Sequence, residues 1–139
     1  MDVVVLIGRI LFAFLFLTSG YGHFAQRKMM AQYAGTKGVP YPLYAVLAGG
    51  VLLVAGGLMV LFGIWADLGS LFLVVFLLPT AVLIHGFWKE SDPQSRMMEM
   101  SQFSKDTALG GAALMLFAFF AFAGHNLGLT ITGPLFHLT

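Results

Sequence analysis

Residues 84–111, IHGFWKESDPQSRMMEMSQFSKDTALGG, separate two long apolar segments and carry most of the charge of the chain. The first segment ends in His85 and Trp88, and the second begins at Lys105 and Asp106. Ionisable groups are costly where hydrocarbon begins unless they have partners, so this boundary is where functional side chains are expected. The stretch indicates a membrane protein whose polar chemistry lies at one end of its helices.

Composition supports this interpretation. Apolar residues make up 59% of the 139 residues and charged residues only 9%, against about 25% charged residues in an average soluble domain. A net charge of +1 gives no reason to expect nucleic acid as a partner. Because the chain has no cysteine, thiolate nucleophiles and thiolate metal sites are excluded. Any redox role therefore requires a bound group.

The apolar runs predict an all-α integral membrane protein, an antiparallel four-helix bundle forming a single transmembrane domain over residues 1–139. Short interfacial helices are expected in the first and third connections, the second of them beginning at Ser91-Asp92-Pro93. In the second span, glycines repeat every seven residues at Gly49, Gly56 and Gly63, which predicts close helix packing and implies no cofactor. The four spans are predicted at about residues 3–24, 43–64, 68–88 and 107–124.

Arg9 and the connections bear on how the chain lies in the membrane. Arg9 is roughly two turns inside the first span, where it either extends to the interface or points into the bundle at a partner; its role is left open. Lysine and arginine are concentrated in the first and third connections, which predicts that these connections are cytoplasmic and that both termini are outside. The expected location is the plasma (inner) membrane, crossed several times.

With four antiparallel spans, six candidate site residues are expected at one boundary. Imidazole, phenol, ammonium and carboxylate groups there could serve a quinone headgroup by donating to its carbonyl oxygens and by providing a proton route. The same residues also describe an ordinary interfacial belt with one salt bridge. No metal site is predicted, because two histidines and a distant carboxylate have no diagnostic spacing. The candidates are Tyr21, His23, His85, Trp88, Lys105 and Asp106.

Within this group, two more specific arrangements are expected. Asp106 should pair with Lys105, its neighbour in the first turn of the fourth span. His85 should then be free to donate a hydrogen bond to a bound carbonyl. Both expectations concern side-chain geometry.

Three elements of the sequence resemble the DoxX family of small four-helix membrane proteins: GRILFAFLFLTSGYGHF at 8–24, HGFW at 85–88 with an acidic residue downstream, and FSKDTALGGAALM at 103–115. The resemblance implies a membrane subunit associated with oxidoreductases, and one branch of the family is similar to a quinone-linked thiosulfate-oxidising enzyme. The family most often has asparagine where this chain has Asp106. Arg9, His85, Trp88 and Lys105 are the polar residues that match by position.

Two functions of different classes follow as hypotheses. The first is an accessory membrane subunit of an oxidoreductase or respiratory-type complex, with no intrinsic cofactor and with quinone as the one candidate ligand. The second is a non-catalytic membrane anchor or scaffold that docks a soluble redox or detoxification enzyme on its methionine-rich surface helices. In both cases the expected partners are the lipid bilayer and either another protein subunit or a second copy of the chain.

Overall fold

The computed structural model describes residues 1–138, which form five α-helices, two short 3-10 turns and no strand. Four of the helices are long and apolar enough to cross a membrane, which confirms the predicted all-α class and the four spans. The fifth is a short helix in the first connection, as predicted. The helices are α1 (Asp2–Ala25), α2 (Arg27–Thr36), α3 (Pro42–Phe62), α4 (Ala66–Leu83) and α5 (Pro93–Ala123), and the 3-10 turns are Phe87–Lys89 and Gly124–Asn126.

The long helices pack in the order α1, α3, α4, α5, and α2 packs on α3. The core consists of large apolar side chains from all four, among them Phe16, Leu53, Leu73 and Phe120. We call the end of the bundle that carries α2 and the 84–92 connection the α2 end. The other end, covered by residues 127–138, is called the tail end.

Glycines set the distance between α3 and its two neighbours. A Cβ on Gly56 would lie 2.8 Å from the backbone oxygen of Gly69 on α4, and a Cβ on Gly57 would lie 3.0 Å from Leu17 on α1. The helices therefore approach as closely as they do because these positions have no side chain. The close packing predicted from the glycine repeat is confirmed.

The third connection differs from its prediction. The prediction of a separate surface helix before the fourth span is wrong, because α5 runs without interruption from Pro93 to Ala123. Its start is as predicted: Asp92 is the N-cap and accepts a hydrogen bond from the amide of Ser95 at 2.8 Å. Residues 94–109 contain neither glycine nor proline, so nothing stops the helix from propagating into the span.

The α-helix of the third span ends at Leu83, although the segment apolar enough to cross a membrane runs from Ala66 to Lys89. The chain turns at Gly86, where a Cβ would lie 2.9 Å from the oxygen of Val82 and 3.0 Å from the ring of Trp88. This early end frees His85 from the helix and lets its ring turn toward α5.

Arg9 lies at the tail end and is 3% exposed. It donates hydrogen bonds to the backbone oxygens of Val60 at 2.8 Å, Leu61 at 2.5 Å and Leu129 at 2.8 Å. The last carbonyls of a helix have no partner within it, so the guanidinium satisfies two carbonyls at the end of α3 and fastens the tail there. Arg9 therefore points into the bundle, which is one of the two interpretations given above. Its partners are backbone carbonyls.

We expect the Gly56→Ala variant to have a free energy of unfolding about 1–3 kcal/mol lower than the wild type, because the methyl group would overlap the Gly69 oxygen. Its melting temperature should fall accordingly. Gly111→Ala is the matched control. It is also a helix glycine, but its added Cβ would have no neighbour within 4 Å, so helix propensity should make it neutral or more stable by up to about 1 kcal/mol. Thermal unfolding in one detergent measures both. Equal melting temperatures for the two variants would contradict the close approach.

Arg9→Met should destabilise the protein by roughly 2–3 kcal/mol, because three backbone carbonyls, one of them in a buried bond, would lose a charged donor. Arg9→Lys should recover only part of this loss, since a compact ammonium cannot reproduce the fork of the guanidinium. Thermal unfolding separates the three proteins, and limited proteolysis of the 127–138 segment reports whether the tail has come loose. An Arg9→Met protein as stable as the wild type would show that these bonds contribute nothing.

Candidate functional site

A cavity of about 720 Å³ lies at the α2 end and is lined by residues from all five helices. Most of its wall is apolar. The polar side chains on the wall are few and lie on different elements, as in most small-molecule sites. They include His23 of α1, Tyr33 of α2, His85 after α4, and Lys105 and Asp106 of α5.

His85 lies between two carboxylates of α5. Its Nδ1 is 2.7 Å from Oε2 of Glu99, and its Nε2 is 3.7 Å from Oδ2 of Asp106. The first distance is a hydrogen bond and the second is too long for one. Asp106 is buried, so the imidazole joins a carboxylate near the end of the bundle to one inside it.

Glu99 is also the point where α2 is attached to α5. Its Oε1 accepts a hydrogen bond from the hydroxyl of Tyr33 and another, at 3.2 Å, from Nζ of Lys37. Lys37 in turn binds Glu90 of the third connection at 2.5 Å. One cluster of side chains, Tyr33, Lys37, His85, Glu90 and Glu99, therefore holds three segments together over the cavity, and we call it the Glu99 cluster.

The two donors from the first connection keep their protons. Partial burial lowers the pKa of Lys37, but its hydrogen bonds to Glu90 and Glu99 outweigh this effect and raise the pKa above its usual value. Burial, followed by the hydrogen bond to Glu99, raises the pKa of Tyr33. Both groups are therefore donors at neutral pH, and Glu99 receives their hydrogen bonds as a carboxylate.

His23 is held in place by its own helix. Its Nδ1 lies 2.9 Å from the backbone oxygen of Ser19, one turn earlier. The ring packs edge-on against Phe76 of α4, with 5.4 Å between ring centroids. Gly49 of α3 makes room for both rings, because a Cβ there would lie 2.8 Å from Phe76 and 3.5 Å from His23. The packing glycines of α3 thus also shape the cavity.

The structure brings four of the six boundary candidates to the cavity: His23, His85, Lys105 and Asp106. The other two lie outside it. Tyr21 is 73% exposed on the outer surface of the bundle, and Trp88 is 49% exposed and packs against Phe103. Arg9 lies at the opposite end, so it is not part of this site.

Two detailed expectations are wrong. No ion pair joins Lys105 to Asp106 within residues 1–138; Lys105 is exposed at the rim of the cavity, and the ionisable side chain within 4 Å of the Asp106 carboxyl is His85. Consecutive residues of a helix point about 100° apart, so these two side chains leave α5 in different directions. His85 is also not free, because its Nδ1 is bonded to Glu99.

Glu99 is the residue that sequence analysis missed. A signal for it was present, since Glu99 and Asp106 are seven residues apart and lie on the same face of one helix two turns apart. The sequence analysis assigned Glu99 to a surface helix and Asp106 to the start of the fourth span, so their common helix face was not recognised. Tyr33 and Lys37, four residues apart at the end of α2, were visible as a pair, but nothing local pointed to their distant partner on α5.

Comparison with known proteins shows the family of this chain. The family model described as DoxX matches residues 4–86, a range that contains His23 and His85 but ends before Glu99, Lys105 and Asp106. The chain is 35% identical over 118 residues to the Inner membrane protein YqjF of Escherichia coli (strain K12), which covers 83% of this chain and 82% of the relative. No solved structure matches the chain. From the family match and this relative, the chain belongs to the DoxX family.

Proposed function

We propose that this protein is an accessory membrane subunit of an oxidoreductase in the inner (plasma) membrane and that its cavity binds a molecule of the quinone class. One observation carries the proposal: the cavity has mostly apolar walls, and at one end of it an imidazole lies between two carboxylates, His85 between Glu99 and Asp106.

The apolar part of the cavity suits a ligand that is dissolved in the membrane. On its outer side the wall includes exposed residues of two adjacent helices, Ala45 and Ala48 of α3 and Val75 and Leu83 of α4. These residues also face the surface that lipid would cover, so the cavity is continuous with the hydrocarbon region. An isoprenoid tail can leave the cavity here while an aromatic headgroup stays inside.

The polar part suits a headgroup that gains or loses protons. Imidazole changes its charge near neutral pH, and His85 is bonded to a carboxylate of the Glu99 cluster, whose members are only partly buried. Protons can therefore pass between the cavity and the surface through groups that are already in contact. These side chains move protons but carry no electrons, so a partner protein has to supply or remove the electrons.

The location follows the relative's name and the charge pattern. That relative is an inner membrane protein. By the positive-inside rule, a cytoplasmic α2 end is supported by its basic residues, Arg27, Lys28 and Lys37 before α3 and Lys89, Arg96 and Lys105 after α4. In this orientation both termini would lie outside.

A second function is favoured by a different observation. Three methionines on the first turns of α5 are largely exposed: Met97 by 69%, Met98 by 64% and Met100 by 48%. Flexible thioether side chains are frequent on surfaces that dock other proteins. A non-catalytic anchor for a soluble redox or detoxification enzyme would use this surface and leave the cavity to lipid. Purification in mild detergent distinguishes the two functions, because an anchor would retain a soluble partner and no quinone.

The His85→Gln variant should bind a decyl-quinone about tenfold more weakly than the wild type, because a hydrogen-bonding group held by Glu99 is lost from the cavity. His125→Gln is the matched control, since His125 is exposed at the tail end and stacks on His137, far along the chain from the cavity. Calorimetry on protein reconstituted in nanodiscs measures both. A wild-type protein that binds no quinone would overturn the proposal in favour of the anchor.

Single cysteines test the orientation without background, because the chain has none. Ser91→Cys and Asn126→Cys lie near opposite ends of α5 and are exposed. A membrane-impermeant maleimide added to intact cells should label residue 126 and should label residue 91 only after the membrane is opened. The reverse pattern would place the α2 end outside.

A further inference from the structure

We infer that the cavity contains a second polar site, deeper in the bundle than His85, formed by the hydroxyls of Ser19 and Thr80 and the ring of His23. We call it the inner subsite. Together with the groups around His85 it fits a ring that has oxygens at two opposite positions, as in a 1,4-quinone or its hydroquinone. This inference rests on the proposed function and adds the arrangement of polar groups that the headgroup must have.

Two hydroxyl groups on the cavity wall are available to a ligand. Ser19 of α1 and Thr80 of α4 are half-buried, and their hydroxyls have no hydrogen-bond partner within residues 1–138. Hydroxyls of helix residues often bond to a carbonyl of the preceding turn. Thr18 and Ser70, which do not line the cavity, are bonded in this way. The hydroxyls of Ser19 and Thr80 can therefore both donate to a ligand and accept from it.

The two hydroxyls lie on either side of a contact between α1 and α4. Both helices run from the tail end to the α2 end, because α3 between them runs back. The rings of His23 and Phe76 pack edge-on with centroids 5.4 Å apart, so these two residues are at about the same depth. Ser19 is about one helical turn before His23, and Thr80 is about one turn after Phe76. The polar groups of the inner subsite therefore follow one another along the cavity.

The ring of His23 adds an acceptor between the two hydroxyls. His23 is buried, and its Nδ1 lies 2.9 Å from the backbone oxygen of Ser19. Because a carbonyl oxygen only accepts, Nδ1 carries the hydrogen of the neutral ring and Nε2 carries the lone pair. The inner subsite thus has donors as well as acceptors. It can bind the carbonyl oxygen of a quinone or the hydroxyl group of a hydroquinone.

The wall around His85, which we call the outer end, also has partners for a ligand oxygen. Nε2 of His85 lies 3.7 Å from Oδ2 of Asp106, which is too long for a direct hydrogen bond. Gln102, one helical turn before Asp106, also lines the cavity, and its side chain has no hydrogen-bond partner in the described part of the chain. An amide both donates and accepts. A ligand oxygen is therefore satisfied at this end too.

The distance between the inner subsite and the outer end matches one ring. Thr80 precedes His85 by five residues, and Phe76, at the level of His23, precedes it by nine. At a rise of about 1.5 Å per residue these intervals are roughly 7 and 13 Å. A six-membered ring with two opposite oxygens and a hydrogen bond of about 2.8 Å at each end covers a distance in this range. A ring with one oxygen leaves one end without a partner and binds more weakly.

Three probes with the same ring and tail test this inference on the full chain in nanodiscs: decyl-quinone, decyl-hydroquinone and decyl-phenol, which has only one ring oxygen. Calorimetry should show that the phenol binds about threefold to tenfold more weakly than either of the others, because one hydrogen bond is lost. This comparison uses the wild-type protein and needs no variant.

Variants then show which side chains read the second oxygen. The double variant Ser19→Ala, Thr80→Val should bind hydroquinone and phenol with nearly equal affinity, because the inner subsite has lost both hydroxyls. Thr80→Ser keeps a hydroxyl and should retain most of the difference between the two probes. Thr18→Val is the matched control, since Thr18 is exposed and its hydroxyl is bonded to its own helix. It should leave the ratio of the two affinities unchanged.

The outcomes separate this inference from the proposed function. If the phenol binds the wild type as tightly as the hydroquinone does, or if the double variant keeps the full difference, the inference is overturned and the proposed function stands. If none of the three probes binds the wild type, the proposed function fails and the inference fails with it.

Discussion

The Glu99 carboxylate is shared by three donors that come from three different parts of the chain. Tyr33 belongs to the short helix α2, Lys37 to the turn after it, and His85 to the connection after α4. A partly buried carboxylate is costly without partners, and each partner would lose its own hydrogen bond if the carboxylate were absent. The bonds therefore depend on one another. Because α2 contributes residues to the cavity wall, the same interaction that closes the α2 end also determines the shape of the cavity.

The tail end solves a related problem with different chemistry. Arg9 is the most deeply buried cation of the bundle, and its charge is stabilised by hydrogen bonds to carbonyl groups at the end of α3 rather than by a carboxylate. Helix C-termini carry partial negative charge, so a cation there is stabilised. The two ends are therefore specialised in different ways: one charge is permanently engaged in holding the tail, while the protonatable groups of the other end line a cavity.

The sequence predicted features that depend on a pattern repeated along one helix. It did not predict which side chains pair between different parts of the chain. The spans were predictable because apolar runs of this length have few alternatives, and the glycine packing was predictable because Gly49, Gly56 and Gly63 keep one face free. That His23, His85 and Asp106 share a cavity was predictable from antiparallel topology. The pairing of Asp106 with Lys105 was wrong because adjacency along a helix turns side chains apart. Glu99 was missed because its role depends on α5 being one continuous helix.

Two structural hydrogen bonds determine which ring nitrogen of His23 and of His85 carries the hydrogen. The Ser19 carbonyl and the Glu99 carboxylate are both acceptors, and each accepts a hydrogen bond from the Nδ1–H of a histidine. A helix turn and an inter-helix contact thus decide which nitrogen of each neutral imidazole carries the hydrogen and which carries the lone pair. The identity of the side chains alone could not reveal this, since a histidine can donate from either nitrogen. The hydrogen-bonding direction at these two rings is therefore set by the fold and not by residue type.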